Sequence, residues 1–393
     1  MLALCTSVTS LAIDLYISSF SDIARMFGCT LGEVQWTISA YIGGFAVGGL
    51  FLGPLADSLG AVRVAVWCLI GFSAASLGSI WMTNIYMLLI LRTFAGFVGS
   101  GVYLGAMGIV KNVYAGKSVK AMSLIDSIQM FAPLLAPSLG QVLNRYLGWQ
   151  ANFAFLAWYG LVLSFCIFVH FRRNAQVVNH AAGLKQQRPK PRKGLILSMY
   201  QRLPGRDALV YGLLGVCCSA TFFSYLSIAS HAYIFRLGVS EEDFTFYFNF
   251  GVFGVFLGVL ANMYALRCLQ PTQVLFYEGL LCFTAAVALV ICLACQAPVI
   301  VYSIGLAVLL AGNAATRSNS IGLAIAFADQ NISFFMGLTS FVALSLGALI
   351  GGLLSHYSTY SLECVIGLAL MTHFVSLSVQ LSKRHFVFSG KCA

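Results

Sequence analysis

Phe45-Ala-Val-Gly-Gly-Leu-Phe-Leu-Gly-Pro-Leu-Ala-Asp57 returns later in the chain as Phe250-Gly-Val-Phe-Gly-Val-Phe-Leu-Gly-Val-Leu-Ala-Asn262. Eight of the thirteen positions are identical without a gap, at an offset of 205 residues. Ser-Leu-Gly at 138–140 also returns at 345–347, at an offset of 207. Near-equal offsets at two places indicate that the chain contains a duplicated unit.

The composition around these repeats is that of a membrane protein. Of the 393 residues, 60% are hydrophobic and 9% are charged, whereas soluble domains carry roughly 25% charged residues. A membrane-spanning helix needs about 20 apolar residues. Twelve such spans are predicted, at 1–20, 34–56, 62–82, 85–109, 121–143, 150–171, 208–235, 244–265, 273–295, 299–322, 333–354 and 361–381.

The basic residues are distributed by side of the membrane. Nine of the 22 Lys and Arg lie between Arg172 and Arg206, in a stretch without Asp or Glu. With the N-terminus inside, the inner loops and tail hold 17 Lys and Arg and the outer loops hold 3. This bias predicts that both termini are cytoplasmic, and the basic run is expected to face anionic lipid and not nucleic acid.

These features predict an all-α protein with twelve helices in two six-helix bundles around a central cavity. The predicted parts are a first bundle at 1–171, a basic cytoplasmic linker at 172–206, a second bundle at 207–382 and a cytoplasmic tail at 383–393. The stretch 1–20 has no basic n-region and is expected to be a first membrane helix rather than a signal peptide. Whether the native start lies upstream of Met1 is left open.

Cysteine chemistry is not expected. Most of the twelve cysteines lie in apolar runs, where they behave as small hydrophobes. Cys292 and Cys295 form a CxxC without a His or a second CxxC, so neither a metal nor another cofactor is predicted. No Ser/His/Asp or HExxH arrangement occurs in the spans, which argues against an enzyme.

Ionisable residues inside spans are the candidates for function, because a charge at mid-bilayer is costly. Asp14 lies well inside the first span, with no basic residue nearby in sequence. Such a carboxyl could exchange a proton or bind substrate; a structural hydrogen-bonding role is the alternative. Arg92 must face a carboxylate, carbonyl groups or water, unless it reaches the outer surface.

The remaining polar residues in spans favour structural roles. Asp126 and Glu278 lie a turn or two from the inner surface and are secondary candidates. His231 could serve a proton pathway, although a hydrogen-bonded structural histidine is favoured. Arg317, Asn313 and Asn319 are expected to make helix contacts near the inner end of the tenth span.

Two motifs predict conformational roles. Gly53-Pro-Leu-Ala-Asp57-Ser-Leu-Gly60, followed by Arg63, joins spans 2 and 3, where Asp57 could cap the third span or pair with a base. Pro133, Pro137 and Gly140 lie on the fifth span, where the prolines are expected to bend the helix and let the half rock.

On these residues the chain resembles the drug:proton antiporter branch of the major facilitator superfamily, most closely its Bcr/CflA-type bicyclomycin-resistance group. The similar segments are Ala12-Ile-Asp14-Leu-Tyr16, Gly53-Pro-Leu-Ala-Asp57, Leu88-Leu-Ile-Leu-Arg92-Thr-Phe-Ala-Gly96, Ala132-Pro-Leu-Leu-Ala-Pro137-Ser-Leu-Gly140 with Gly148-Trp149-Gln150, and Phe223-Ser-Tyr225-Leu-Ser227. The resemblance implies a proton-coupling and substrate site made of Asp14, Tyr16, Arg92, Tyr225 and His231.

The chain also departs from the group's pattern. Ile17-Ser-Ser-Phe20 replaces prolines, Ser58 and Ala61-Val62 replace basic residues of the loop motif, Ala95 replaces a Gln, and His231 replaces a Pro. These departures leave the expected fold unchanged. They predict that the loop motif between spans 2 and 3 stabilises one conformation of the transporter less strongly.

The predicted function is therefore secondary transport by alternating access. No GxxxxGK[ST] loop is present, so an ion gradient is the expected energy source. We expect a monomer of the bacterial inner membrane that exports drugs or other amphipathic molecules in exchange for protons. Export of one metabolite, such as a siderophore, and a non-transporting sensor or scaffold are the alternatives.

Overall fold

The computed structural model describes residues 2–113, 117–173, 205–328, 331–356 and 361–382. Every long regular element in these ranges is a helix, joined by one short 3₁₀ turn (Ile17–Ser19) and one π turn (Ala232–Arg236). The helices are α1 (Leu2–Asp14), α2 (Phe20–Phe27), α3 (Leu31–Leu59), α4 (Ala61–Ile80), α5 (Ile85–Val113), α6 (Ser118–Leu147), α7 (Gln150–Arg173), α8 (Arg206–His231), α9 (Glu241–Cys268), α10 (Pro271–Ala294), α11 (Val299–Phe327), α12 (Ile332–His356) and α13 (Ser361–Ser382).

These helices make the chain a multi-pass membrane protein. Eleven stretches of the described residues are long and apolar enough to cross a membrane, with α1 and α2 counted as one. The remaining predicted span, 121–143, lies on α6. This helix has 30 residues, which is long enough, but it includes the polar side chains of Asp126, Gln129 and Asn144. The all-α membrane fold predicted from the sequence is confirmed.

The chain divides into two compact units. Unit 1 comprises residues 1–118, 128–205 and 328–341, and unit 2 comprises 119–127, 206–327 and 342–393. A short piece of α6 therefore packs in unit 2, and the first turns of α12 pack in unit 1. Residues 174–204 of the predicted linker and all of the predicted tail, 383–393, lie outside the described residues.

Glycines bring α3 and α5 into backbone contact within unit 1. A Cβ atom placed on Gly48 would lie 2.9 Å from the Cα atom of Phe97, and one placed on Gly99 would lie 2.7 Å from the Tyr41 hydroxyl. Small residues allow membrane helices to approach this closely. The close packing holds Tyr41 of α3 beside the face of α5 that carries Arg92.

Candidate functional site

The first membrane stretch is interrupted at the predicted site. Helix α1 ends at Asp14, and a 3₁₀ turn at Ile17–Ser19 precedes α2. The backbone N–H of Ser19 donates to the carbonyl of Tyr16 at 2.9 Å, which closes the turn. Interrupted helices at membrane depth persist where neighbouring groups satisfy the backbone.

Gly140 of α6 lies against this interruption. A Cβ atom at that position would collide with the carbonyl oxygen of Leu15 and would lie 3.2 Å from the Ser18 hydroxyl. The glycine of the predicted span 5 motif therefore lets α6 approach the point where α1 ends. Pro133 and Pro137 lie within the continuous helix α6, and the side chain of Pro133 is outside the described residues.

Arg92 lies on α5 in a box of aromatic rings. Its side chain is 1% exposed. The guanidinium carbon lies 4.6 Å from the ring centre of Tyr16, 4.7 Å from that of Tyr41 and 5.8 Å from that of Phe153. Ring faces attract a cation, and they do so more strongly when the pair is desolvated. The burial excludes the alternative in which Arg92 reaches the outer surface.

One backbone group completes this arginine box, which we define as Tyr16, Tyr41, Phe153 and the Ala12 carbonyl. Nη2 of Arg92 donates a short hydrogen bond to the Ala12 carbonyl oxygen, whereas Nε is buried without a partner among the described residues. Among the residues that the structure describes, no carboxylate lies within ion-pair distance of Arg92.

Asp14 lies between two of these contacts. Ala12 precedes it by two residues and Tyr16 follows it by two, and both contact Arg92. The Asp14 side chain is half-buried. None of the hydrogen bonds and ion pairs within the described ranges involves its carboxylate. The structure thus brings Tyr16 and Arg92 of the predicted site into contact, with Asp14 two residues before Tyr16 in the chain. It adds Tyr41 and Phe153, which no sequence signal distinguished from other aromatic residues.

Tyr16 is itself fixed by a second contact. The Thr37 hydroxyl donates to the Val34 carbonyl at 2.6 Å, so Tyr16 is the donor in its own 2.8 Å hydrogen bond to Thr37. The Tyr16 ring also packs on Phe153, with ring centres 5.3 Å apart. Tyr16 thus joins the interrupted first helix to α3 and to the arginine box.

Asp57 caps a helix distant in sequence. Its carboxylate oxygens accept from the backbone N–H groups of Ser333 at 3.0 Å and Phe334 at 2.8 Å, at the start of α12. Gly53 permits the approach, because a Cβ atom there would lie 2.8 Å from the Cα atom of Phe334. The N-cap residue of α4 is Gly60, which makes no side-chain cap bond, so the hydrogen bonds of Asp57 shown here go to α12 and not to the third span.

The rest of the loop motif ends one helix and begins the next. Gly60 adopts φ +105°, a conformation that favours glycine, and separates α3 from α4. Arg63 is exposed on α4. The chain therefore passes from α3 to α4 through Gly60 alone.

Unit 2 contains a separate polar cluster. Nη2 of Arg317 on α11 lies 2.9 Å from an Asp126 carboxylate oxygen. Asn262 and Asn319 exchange hydrogen bonds of 3.0 and 3.3 Å, Asn262 also donates to the Ser123 hydroxyl at 3.2 Å, and Asn319 donates to Glu278 at 2.8 Å. The helix-contact interpretation of Arg317 and Asn319 agrees with these bonds, but the Asp126 pairing was not predicted.

The last two candidates also belong to unit 2. Tyr225 on α8 is buried, and its ring stacks on Phe248 with ring centres 6.4 Å apart. His231 is the last residue of α8, before the π turn, and its side chain lies outside the described residues.

Comparison with known proteins finds one family profile and several relatives with names of resistance proteins. The sequence profile described as the Major Facilitator Superfamily matches residues 2–352. A bicyclomycin resistance protein homolog of Haemophilus influenzae is 22% identical over 90% of this chain and 87% of its own length. A chloramphenicol resistance protein of Pseudomonas aeruginosa is 26% identical over 61% of this chain and 55% of its own.

The fold has a solved counterpart. The structure of the proton:xylose symporter XylE bound to 6-bromo-6-deoxy-D-glucose matches 98% of this chain and 95% of its own, with a TM-score of 0.72 and 12% identity. At this identity the match concerns the fold alone.

Proposed function

The chain belongs to the Major Facilitator Superfamily, and from that premise we propose that this transporter exports drugs or other amphipathic molecules in exchange for protons. The relatives named for bicyclomycin, chloramphenicol and multidrug resistance support the substrate class. The proposed mechanism is alternating access by a monomer in the bacterial inner membrane. The excess of Lys and Arg in the inner loops supports cytoplasmic termini.

The observation that carries the proton coupling is the environment of Asp14. This carboxyl ends a helix inside a membrane span and has no hydrogen bond or ion pair among the described residues. Desolvation favours its neutral form, whereas a nearby cation favours its ionised form. Arg92 contacts the chain two residues before and two residues after Asp14, and in the proposed cycle a movement in this region changes the balance between the two forms.

The proposal can be tested in everted vesicles that contain the full chain. The vesicles are energised, candidate compounds are added, and dissipation of the internal pH gradient is followed by dye fluorescence. We expect a substrate to dissipate the pH gradient in vesicles with the wild type and not in vesicles with Asp14→Asn. Asp14→Glu restores a carboxyl and should restore the dissipation.

Asp22→Asn is a matched control. Asp22 lies on α2, accepts a hydrogen bond from Asn144 at 2.6 Å and lies 3.6 Å from Arg25, so its carboxyl is already partnered. Coupling should persist in this variant. Full coupling in Asp14→Asn would refute Asp14 as the proton site, and inactivity of every drug on the wild type would favour export of one metabolite.

A further inference from the structure

The first membrane stretch is interrupted although its sequence contains no strong helix breaker. Residues 12–20 include neither proline nor glycine, the two residues that most disfavour a helix interior. At membrane depth a continuous helix satisfies every backbone group within the segment itself. The end of α1 at Asp14 is therefore a consequence of contacts with other helices of unit 1.

One of these contacts comes from Asn152 in the first turn of α7. Its Nδ2 donates to the Ser19 hydroxyl oxygen at 2.7 Å, and both residues are 0% exposed. Ser19 is the N-cap residue of α2, a position where a serine hydroxyl usually accepts from an N–H group of its own helix. Ser19 makes no such cap bond, so its hydroxyl serves the contact with α7 instead.

The neighbours of Asn152 contact the same part of the chain. Phe153 packs on the ring of Tyr16, with ring centres 5.3 Å apart. Trp149, just before α7, donates from Nε1 to the Met26 sulfur at 3.2 Å. The start of α7 thus contacts the interrupted stretch before, at and after the 3₁₀ turn, and Asn152 makes the contact at the turn.

Stability alone does not account for an asparagine at this position. Its Oδ1 atom is buried without a hydrogen-bond partner among the described residues, and a buried acceptor left unpaired costs free energy. A leucine has a similar shape and would avoid that cost. Residues that break such a rule are typical of functional positions. The use that the structure shows for the Asn152 side chain is its bond to Ser19.

We propose that Asn152 is a positioning residue for the proton site. By holding Ser19 against α7, it keeps the 3₁₀ turn in place, so that Asp14 lies at the end of a helix and not within a continuous one. Gly140 supports the same turn from α6, because a Cβ atom there would collide with the Leu15 carbonyl oxygen. The inference rests on the proposed proton exchange at Asp14 and names a residue that acts on it from another helix.

The first test compares transport with stability. The double variant Asn152→Leu/Ser19→Ala removes both partners of the bond, so neither is left unpaired. We expect it to keep or raise the wild-type Tm. It should lower dissipation of the pH gradient in the everted vesicles on the order of tenfold, because small displacements near the chemistry cost large factors in rate. A structural role alone would lower the Tm and the dissipation together.

Exchange of the two partners tests the bond itself. Ser19→Asn/Asn152→Ser places the amide on the first membrane stretch and the hydroxyl on α7, and it should restore most of the dissipation. Asn144→Leu is the matched control. The Asn144 amide also donates to this stretch, to Asp22 at 2.6 Å, but it does so beyond the turn, so its loss should leave the dissipation at the wild-type rate.

Infrared difference spectroscopy of the purified full chain in lipid reports on Asp14 without a transported compound. At a pH low enough to protonate the carboxyl, the C=O band that Asp14→Asn removes belongs to Asp14, and its frequency depends on the surroundings of the group. We expect this band to shift in Asn152→Leu/Ser19→Ala, to return in Ser19→Asn/Asn152→Ser and to stay unchanged in Asn144→Leu.

An unshifted band in Asn152→Leu/Ser19→Ala, or a Tm that falls together with the dissipation, would overturn the proposal. A shifted band in a protein that exports none of the compounds would support the positioning role and count against the proposed export. The failure of this inference and the failure of the proposed function are therefore distinguishable.

Discussion

Two arginines in membrane-spanning helices have different environments. Arg317 in unit 2 has a side chain that is 24% exposed, and its guanidinium lies 2.9 Å from the Asp126 carboxylate. Arg92 in unit 1 is 1% exposed and contacts three aromatic rings and one carbonyl oxygen. The more deeply buried cation is the one without a carboxylate among the described residues.

The difference indicates what each arginine is for. A buried ion pair neutralises both charges and leaves neither for another partner. Aromatic faces stabilise a cation by only about 0.5–2 kcal/mol each and leave its charge uncompensated. The Arg317 pair is therefore suited to hold helices together, whereas the charge of Arg92 is not neutralised by a carboxylate among the described residues.

The largest expected effect is on export, and it comes from removing the charge of Arg92. We expect Arg92→Leu to lower proton-coupled export at least about tenfold, or ~1.4 kcal/mol in activation free energy, while the chain remains inserted and folded. Arg92→Lys should also fail, since a compact ammonium cannot stack on several rings and reach the Ala12 carbonyl. The everted-vesicle assay measures both. Normal export by Arg92→Leu would contradict the assigned role.

A smaller effect, on the stability of the fold, is expected from breaking the ion pair of Asp126 and Arg317. Removing one partner of a fully buried ion pair costs about 3–5 kcal/mol, and the partial exposure of Arg317 reduces this to about 1–2 kcal/mol. Asp126→Asn should therefore lower the apparent Tm of the purified protein, measured by tryptophan fluorescence. The double variant with Arg317→Met should recover part of the loss.

The exposed pair of Arg25 and Asp22 is the control for this measurement. Its nitrogen and oxygen lie 3.6 Å apart and the Arg25 side chain is 81% exposed, so Arg25→Gln should not change the Tm measurably. An equal change in Asp126→Asn and Arg25→Gln would show that the Arg317 pair does not hold unit 2 together.

The contribution of Tyr16 to the arginine box can be divided between its hydroxyl and its ring. Tyr16→Phe keeps the ring over Arg92 and loses only the hydrogen bond to Thr37, at about 1 kcal/mol. Tyr16→Leu also loses the cation–π contact and should reduce export further. Export rates of the two variants, at equal amounts of protein in the membrane, separate the hydroxyl from the ring. Identical rates would show that the ring contact with Arg92 does not contribute.

The membrane fold was predictable from the sequence because apolar run length and basic-residue bias are properties of the chain alone. Asp14 and Arg92 could be singled out from the sequence because ionisable residues are rare in spans, and Tyr16 because it lies in a segment that resembles a family motif. The interruption of the first helix at Asp14 was not predictable, because the apolar run continues through Leu15 and Ile17 without a helix breaker.

Contacts between distant segments were the least predictable features. Asp57 carries no signal that its carboxylate caps α12, 276 residues away in the chain. The pairing of Asp126 with Arg317 depends on the packing of a short piece of α6 in unit 2. Phe153 was one of 31 phenylalanines, and only the fold shows which of them faces a cation.

The smallest expected effect concerns Asp57, which aligns with Asn262 in the second repeat. Asp57→Asn gives the first repeat the residue of the second. Its single amide oxygen can accept from one of the two α12 N–H groups, so the second hydrogen bond and the charge that favours a helix N-terminus are lost. The loss should be about 0.5–1 kcal/mol, which speeds amide exchange at Ser333 and Phe334 about two- to fivefold. Mass spectrometry of peptides spanning 331–336 measures this exchange.

Ser58→Ala is the matched control for Asp57→Asn. Ser58 is the next residue, and its hydroxyl donates to the Leu55 carbonyl of its own helix at 3.1 Å. Exchange at the start of α12 should therefore be unchanged in this variant. If Asp57→Asn also left the exchange unchanged, neither the second acceptor oxygen nor the charge of Asp57 would stabilise the start of α12, and the two repeats would differ less at this position than their residues suggest.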